Sequence, residues 1–458
     1  MNAKKNTSKR WLLGIPAVAL IVAVMVLLVI RMEGEKPTIK LDLTSPALGQ
    51  NQTLTIEVAD QKSGVREVWV GLLKDGQEVE LLDKAFAPAG LFVGGTVTQE
   101  RVDFEFEPKV LGINDGKAII RMVVRDFSWR GLGKGNTAYQ EQEVVIDTRP
   151  PAIEVLSRGH YFSQGGAGVV IYKLSEECPT HGVMVGDHFY PGASGYFDDS
   201  AICMAMLAVD FRQGPHTPIV VTGTDFAGNE GRTGLQYRIN ARQFRQDRIN
   251  ISDNFLDWKM PEFISQVNAS PGDSNLDIFL KVNGSLRKAN YEVLKKVTQK
   301  SDTTIHWHGP FLRLPSAANR AGFADHRSYY YKGKKIDEQT HLGMDLASVE
   351  QSPVPAANSG KIVFNESLGI YGQSVVIDHG GGLFSLYSHL SSIGVSMGQM
   401  VEKGDIIGNT GRTGLAGGDH LHFSVMVHST FVNPIEWWDE QWITNNIESK
   451  IDAVKAPA

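Results

Sequence analysis

The stretch His420-Leu421-His422-Phe423-Ser424-Val425-Met426-Val427 alternates with a period of two. That is the period of a β-strand, whose successive side chains point to opposite faces. Both imidazoles then share one face, while Leu421, Phe423, Val425 and Val427 make the buried one. Upstream, His341-Leu342-Gly343-Met344-Asp345 sets an imidazole and a carboxylate four residues apart. Such a pair projects to the same side in a strand or a helix. Between the two, Ser385-Leu386-Tyr387-Ser388-His389-Leu390 places another His near the end of an apolar run. Gly398, Gly404, Gly408, Gly411 and Gly414 fall among short Val/Ile runs and suit tight hairpins. Residues 305–440 therefore read as a small antiparallel β-sheet domain with an open groove, residues 414–418 forming one wall.

The residue types on that sheet point to metal chemistry. Nine of the 13 His lie after residue 300. Two imidazole nitrogens and one carboxylate oxygen are a three-ligand set suited to Zn²⁺, and a catalytic zinc keeps its fourth position for water. His341, Asp345 and one His of the 420/422 pair complete the set. The other, with His389, is left as general base or as donor to a tetrahedral oxyanion. No HExxH is present, which excludes the two-His metalloprotease helix. A second HxH, His306-Trp307-His308, has no His/Asp partner nearby and reads as structural. His326, His379 and His428 read as structural or as supports for the ligands.

The ordered motifs HLGMDLA (341–347), LYSHLSSIGVSMGQMVEKGDIIGNTGRTGLAGGDHLHFSV (386–425) and Val432-Asn433-Pro434 resemble the lysostaphin-type, LytM-like zinc metalloendopeptidases, a family of peptidoglycan hydrolases. The resemblance implies metal ligands His341, Asp345 and His422, and catalytic roles for His389 and His420. It thereby chooses between His420 and His422, which spacing alone leaves open. Some relatives have lost ligands and act only as activators; here all five positions are filled. Tyr329, Tyr330 and Tyr331 precede His341 by more than the family's spacing for its oxyanion Tyr, and the resemblance assigns none of them.

The rest of the 458 residues is read from composition and pattern. A hydrophobic fraction of 42% with 21% charged residues excludes a mainly disordered chain, and the length suggests about three domains. A net charge of −6 argues against nucleic acid as a partner. Residues 11–30 are an uncharged apolar run about 30 Å long as a helix, one hydrocarbon core. Lys4, Lys5, Lys9 and Arg10 precede it, so the N-terminus is expected in the cytoplasm and the remainder outside. The run is longer than a cleaved signal peptide's and continues into Arg31-Met32-Glu33, so an anchor is expected over residues 1–34.

Two immunoglobulin-like β-sandwich modules are expected at 35–150 and 151–250, from alternating runs such as 53–58, 67–72 and 118–124. A weak echo with a spacing of 99 residues links 123–127 to the Asp225-Phe226-Ala227-Gly228-Asn229 region. A helical connector is expected at 251–304, where Leu286, Ala289, Val293, Leu294 and Val297 recur at helical spacing. Residues 441–458 read as a polar tail. Cys178 and Cys203 would lie in an oxidising space, where a bridge between them could persist.

The expectation is thus a mainly β protein held in a bacterial inner membrane by residues 11–30, with a periplasmic domain that hydrolyses peptidoglycan peptides. The β modules set its reach and offer surfaces to envelope or division proteins. The rival reading is a non-catalytic scaffold or activator of cell-wall hydrolases built on the same fold.

Overall fold

The computed structural model describes residues 8–90 and 92–455; Lys4 and Lys5 of the charge argument lie outside them. The protein is mainly β, with one apolar N-terminal helix, as the sequence suggests. The described residues form two compact units, Met1–Pro151 with Thr224–Glu230, and Ala152–Gly223 with Gly231–Ala458.

The first unit begins with helix α1 (Ser8–Arg31). Its segment Gly14–Arg31 has a mean hydropathy of 2.6 and is long and apolar enough to cross a membrane. Beyond it stand a three-stranded sheet (Thr38–Asp42, Gln52–Ala59, Gln99–Phe106) and a five-stranded one built around Val65–Lys74 and Gly116–Asp126. Strict alternation puts Val102, Phe104 and Phe106 of one sheet and Val68, Val70, Ile120 and Met122 of the other into a common core.

In the second unit one continuous core runs from Phe162 to Ile447. Strands between Ile153 and Asn240 lead into Gln246–Ile251, which pairs parallel with His326–Tyr331. Cys178 and Cys203 are both buried here and are not joined in a disulfide. A short helix, Asp253–Lys259, is capped by Ser252. Helix α2 (Asn275–Lys281) starts at a capping box formed by Ser274 and Asp277, which satisfies two otherwise orphaned N–H groups. A π-helical turn, Val282–Leu286, joins it to α3 (Arg287–Val297).

The buried face of α3 differs from the apolar stripe. Leu294 is buried but Ala289 and Val293 are exposed, and Asn290 is buried instead. The cause is polar: Asn290 Oδ1 accepts from the Ile370 N–H at 2.9 Å, tying the helix to the turn Gly369–Tyr371.

The C-terminal sheet contains β1 (Met344–Ala347), β2 (Gly360–Ser367), β3 (Gln373–Gly380), β4 (Leu383–Leu390) and β5 (Leu421–Val427). From one edge the order is Ala318–Ala321, β1, β5, β4, β3, β2, Met400–Val401. All residues of β4 and β5 are buried, Ser424 and Met426 included. Burial on both faces arises because the imidazole face looks into a cleft walled by Phe255, Phe279 and Tyr371, while Phe423 stacks on Trp438 behind it. Residues 434–438 and 440–455 are helical, and Trp437 packs edge-on against Trp307 and Phe311 at 5.5 and 5.4 Å.

Within those last helices Lys450 is buried, which lowers its pKa from 10.5 to about 8. A base with a depressed folded-state pKa destabilises the fold wherever it must remain protonated. The cost is full below pH 8 and fades between about 8 and 10.5. Lys450→Met is therefore expected to stabilise residues 35–458 at pH 7 by at most about 3 kcal/mol, and so to raise their melting temperature. Scanning calorimetry at pH 7 and pH 10 should show the advantage shrinking at the higher pH.

Candidate metal centre

The centre is assembled by strand register. β1 pairs antiparallel with β5 so that Asp345 lies directly opposite His422, and β4 pairs with β5 so that Ser388 opposes His422. His341 comes in from the segment just before β1. The ligating atoms converge: His341 Nε2 is 2.9 Å from Asp345 Oδ1 and 2.9 Å from His422 Nδ1, and His422 Nδ1 is 2.9 Å from Asp345 Oδ1. All three residues are buried.

The hydrogen bonds behind them define which atoms face inward. His341 Nδ1–H donates to the Gly322 carbonyl at 2.8 Å, leaving Nε2 as a bare lone pair. Ser424 Oγ–H donates to the Leu342 carbonyl at 2.8 Å, so it accepts from His422 Nε2–H at 3.0 Å, leaving His422 Nδ1 bare. Two imidazole lone pairs and a carboxylate oxygen then meet with no proton among them. Such a triangle repels itself without a cation at its centre and fits a metal ion, each imidazole being held by its other nitrogen. The second carboxylate oxygen is engaged elsewhere: Arg327 Nη2 donates to Asp345 Oδ2 at 2.9 Å.

Electrostatics follow the geometry. Burial alone would raise the Asp345 carboxyl, but the surrounding imidazoles, His341 first and then His420 and His422, hold it well below the usual carboxylate range. Burial pushes His422 down to about 4. It also drives His389 well below the ordinary imidazole value, helped by His420 and His422. Burial pulls on His420 too, but the Asp345 carboxylate 3.6 Å away and the Gly418 carbonyl raise it on balance.

His389 and His420 flank the triangle, their rings 4.8 Å apart and His389 5.8 Å from His422. Each donates Nδ1–H to a backbone carbonyl, Thr413 at 2.8 Å and Gly418 at 2.9 Å, and so keeps Nε2 available. His389, next to last in β4, has a φ of +63°, a left-handed conformation that costs about 1–3 kcal/mol for a residue with a Cβ. All five residues singled out in the sequence line one cavity of about 350 Å³, with Leu415, Ala416 and Gly417 on its rim.

The other histidines lie elsewhere. Contrary to the sequence reading, the 306/308 pair does have an Asp nearby, since His306 Nε2 contacts Asp302 Oδ2 at 3.0 Å; His379 is bonded at both ring nitrogens, to the Ser359 carbonyl and Ser385 Oγ. The His428 ring lies 6.0 Å from that of Tyr190, and His326 lies 3.5 Å from Glu338. Three cleft residues carry no local signal in the sequence: Arg327, Arg287 and Tyr371, whose ring lies 5.6 Å from His422. Tyr329, one of the three Tyr before His341, lines the cleft as well.

A small antiparallel sheet here presents two His and an Asp that could hold a metal ion, beside two more His. Residues 339–434 match the model of peptidase family M23. The DD-carboxypeptidase/endopeptidase Mpg of Neisseria meningitidis serogroup B is 39% identical over 95 residues, 21% of this chain and 22% of Mpg. The peptidoglycan DD-endopeptidase ShyA of Vibrio cholerae is 38% identical over 96 residues, 21% of this chain and 22% of ShyA. The similarity thus spans about a fifth of each of these curated relatives. Among solved structures, the catalytic domain of lysostaphin from Staphylococcus simulans is 31% identical with a TM-score of 0.24, covering 27% of this chain and 94% of that domain.

The Gly of the first motif has a steric reason. A Cβ on Gly343 would lie 2.5 Å from Ser424 Oγ and 2.6 Å from His422 Nε2, inside the pair that orients His422. Gly343→Ala is expected to leave the protein folded and to weaken metal binding by about 10- to 100-fold. A calorimetric titration with Zn²⁺ measures this; unchanged affinity would contradict the steric reading.

Proposed function

We propose that the chain is a membrane-anchored, zinc-dependent endopeptidase that hydrolyses peptide bonds in peptidoglycan cross-links or stems. The observation that carries it is the triangle of bare acceptor atoms on His341, Asp345 and His422, with the Nε2 atoms of His389 and His420 beside it. The triangle's 2.9 Å edges are within a few tenths of an ångström of the roughly 3.3 Å that tetrahedral ligands at about 2.0–2.1 Å require. Zinc bound there supplies a Lewis acid for the scissile carbonyl and brings the pKa of water down to about 7.

The protein's own groups do the rest. His341, Asp345 and His422 are the metal ligands, and Arg327 holds Asp345 so that one oxygen faces inward. His389, with Nδ1–H fixed on Thr413, takes a proton from the attacking water at Nε2. His420, whose charged form Asp345 favours, donates from Nε2 to the carbonyl oxygen as it gains negative charge. The apolar cleft walls exclude bulk water from the reacting bond and so strengthen these interactions.

The names of the relatives support peptidoglycan as the substrate. Helix α1 is the anchor, with the N-terminus in the cytoplasm and the rest periplasmic. The segments 35–150 and 151–250 are two β modules that set the distance from membrane to wall, and the connector 251–304 and the domain 305–440 carry the cleft.

Digestion of purified sacculi by residues 35–458, read by mass spectrometry, is expected to release uncross-linked or shortened muropeptides and to stop when a chelator is added. His389→Ala and His420→Ala are each expected to slow the reaction by about 10²–10⁴-fold while retaining one zinc per chain. A His420→Ala protein that digested sacculi at the wild-type rate would sink the role assignment, and absence of both zinc and cleavage would sink the enzyme reading.

A further inference from the structure

The metal centre opens onto two cavities, not one. The first, of about 350 Å³, has Ile249, Ile251, Phe255, Phe279 and Ile370 in its wall. The second, of about 310 Å³, lies beside Thr340 and Leu342. His341 and His422 belong to both, and so do two residues outside the metal centre and its strands, Tyr371 and Arg287, of which Arg287 carries a cationic side chain. A peptide laid across the centre from one cavity to the other must therefore pass Arg287.

Arg287 is held there by an unusual piece of backbone. The π-helical turn Val282–Leu286 interrupts the passage from α2 to α3 and turns Asn283 fully inward. Such single-turn π-bulges occur frequently at functional sites. Asn283 Nδ2 donates to Asp337 Oδ2 at 2.6 Å, which fixes the direction of its side-chain amide. Asn283 Oδ1 then accepts from Arg287 Nη2 at 2.5 Å, and the Asn283 carbonyl accepts from Arg287 Nε at 3.2 Å. One edge of the guanidinium is spent on these bonds. The edge formed by Nη1–H and the second Nη2–H has no hydrogen-bond partner among the described residues.

The charge is uncompensated as well. Arg327, the other guanidinium of the cleft, is paired with Asp345. Among the described residues no carboxylate forms an ion pair with Arg287. A fixed, half-used guanidinium in a mostly apolar cleft is the geometry that recognises a carboxylate through two parallel N–H···O bonds.

We propose that Arg287 anchors an ionised carboxylate of the peptide substrate, so that the site selects peptides with a free carboxyl group near the scissile bond over amidated ones. The assignment rests on the peptidase reading and names the substrate chemistry of that same cleft. The carboxylate has two sources in such peptides, the terminal α-carboxyl or the side-chain carboxyl of a diacidic residue, and the test separates them.

Synthetic cross-linked peptides are prepared in three forms: both carboxyls free, α-carboxyl amidated, and side-chain carboxyl amidated. Cleavage kinetics are compared for the zinc-loaded wild type, Arg287→Gln and Arg287→Lys. The wild type is expected to lose about 10- to 100-fold in kcat/KM when the recognised carboxyl is amidated, mostly through KM. Arg287→Gln should bring the free peptide to the level of the amidated one and leave the amidated one unchanged. Arg287→Lys should keep part of the preference.

The amidated peptide also reports folding, since a misfolded variant loses both substrates together. A preference that survives in Arg287→Gln, or a wild type indifferent to both amidations, overturns the proposal. Calorimetric binding of the same three peptides separates this from the peptidase reading. Carboxylate-dependent binding that Arg287→Gln abolishes, without any cleavage by the wild type, would keep the anchor and reject the peptidase.

Discussion

The register that sets Asp345 opposite His422 across the β1–β5 ladder is the constraint on which the metal centre depends. Side chains of a strand alternate faces, so a slip of one residue would turn His422 away from Asp345 and bring Leu421 or Phe423 in its place. The buried face of β5 prevents that slip, since Leu421, Phe423, Val425 and Val427 would all have to leave the core together. The same register brings β4 alongside, with His389 one residue beyond Ser388. Its left-handed backbone turns the chain at the strand end, and this strained residue is tolerated because the ladders on either side over-determine its position.

The triangle of acceptors is costly in isolation. Three buried lone pairs within hydrogen-bonding distance, none carrying a proton, disfavour the arrangement unless a cation joins it. The hydrogen bonds to Gly322 and through Ser424 to Leu342 hold the imidazoles in that tautomeric state, so they act against the collapsed alternative in which a His donates to Asp345. Gly343 belongs to the same device, because only a residue without a Cβ leaves room for the Ser424–His422 contact.

Much of this was legible in the sequence because it is local. Period-two alternation at 420–427 and the four-residue spacing of His341 and Asp345 each encode a shared face, and the family resemblance implied the roles proposed for them. The mainly β character was legible from turn signals and alternating runs. What the sequence did not show is long-range. Arg327 meets Asp345 from a strand whose own pattern gives no hint of the contact. The burial of Asn290 in place of Ala289 and Val293 follows from one backbone N–H at Ile370, eighty residues away, which no hydrophobic period can encode. The π-helical turn at 282–286 is equally silent, since its residues form an unremarkable helical run.

The residues proposed to perform the chemistry fall in one segment of the chain, while several that line or brace the cleft fall before it. His341, Asp345, His389, His420 and His422 fall inside 339–434, the segment shared with family M23. Phe279, Asn283, Arg287 and Arg327 fall before it. Over evolutionary time the two sets can therefore diverge at separate rates: under the proposed function, the segment shared with the family would keep the power to cut, while substitutions upstream would redirect what is cut. Two paralogues with near-identical family segments could in this way come to serve different bonds in the same wall.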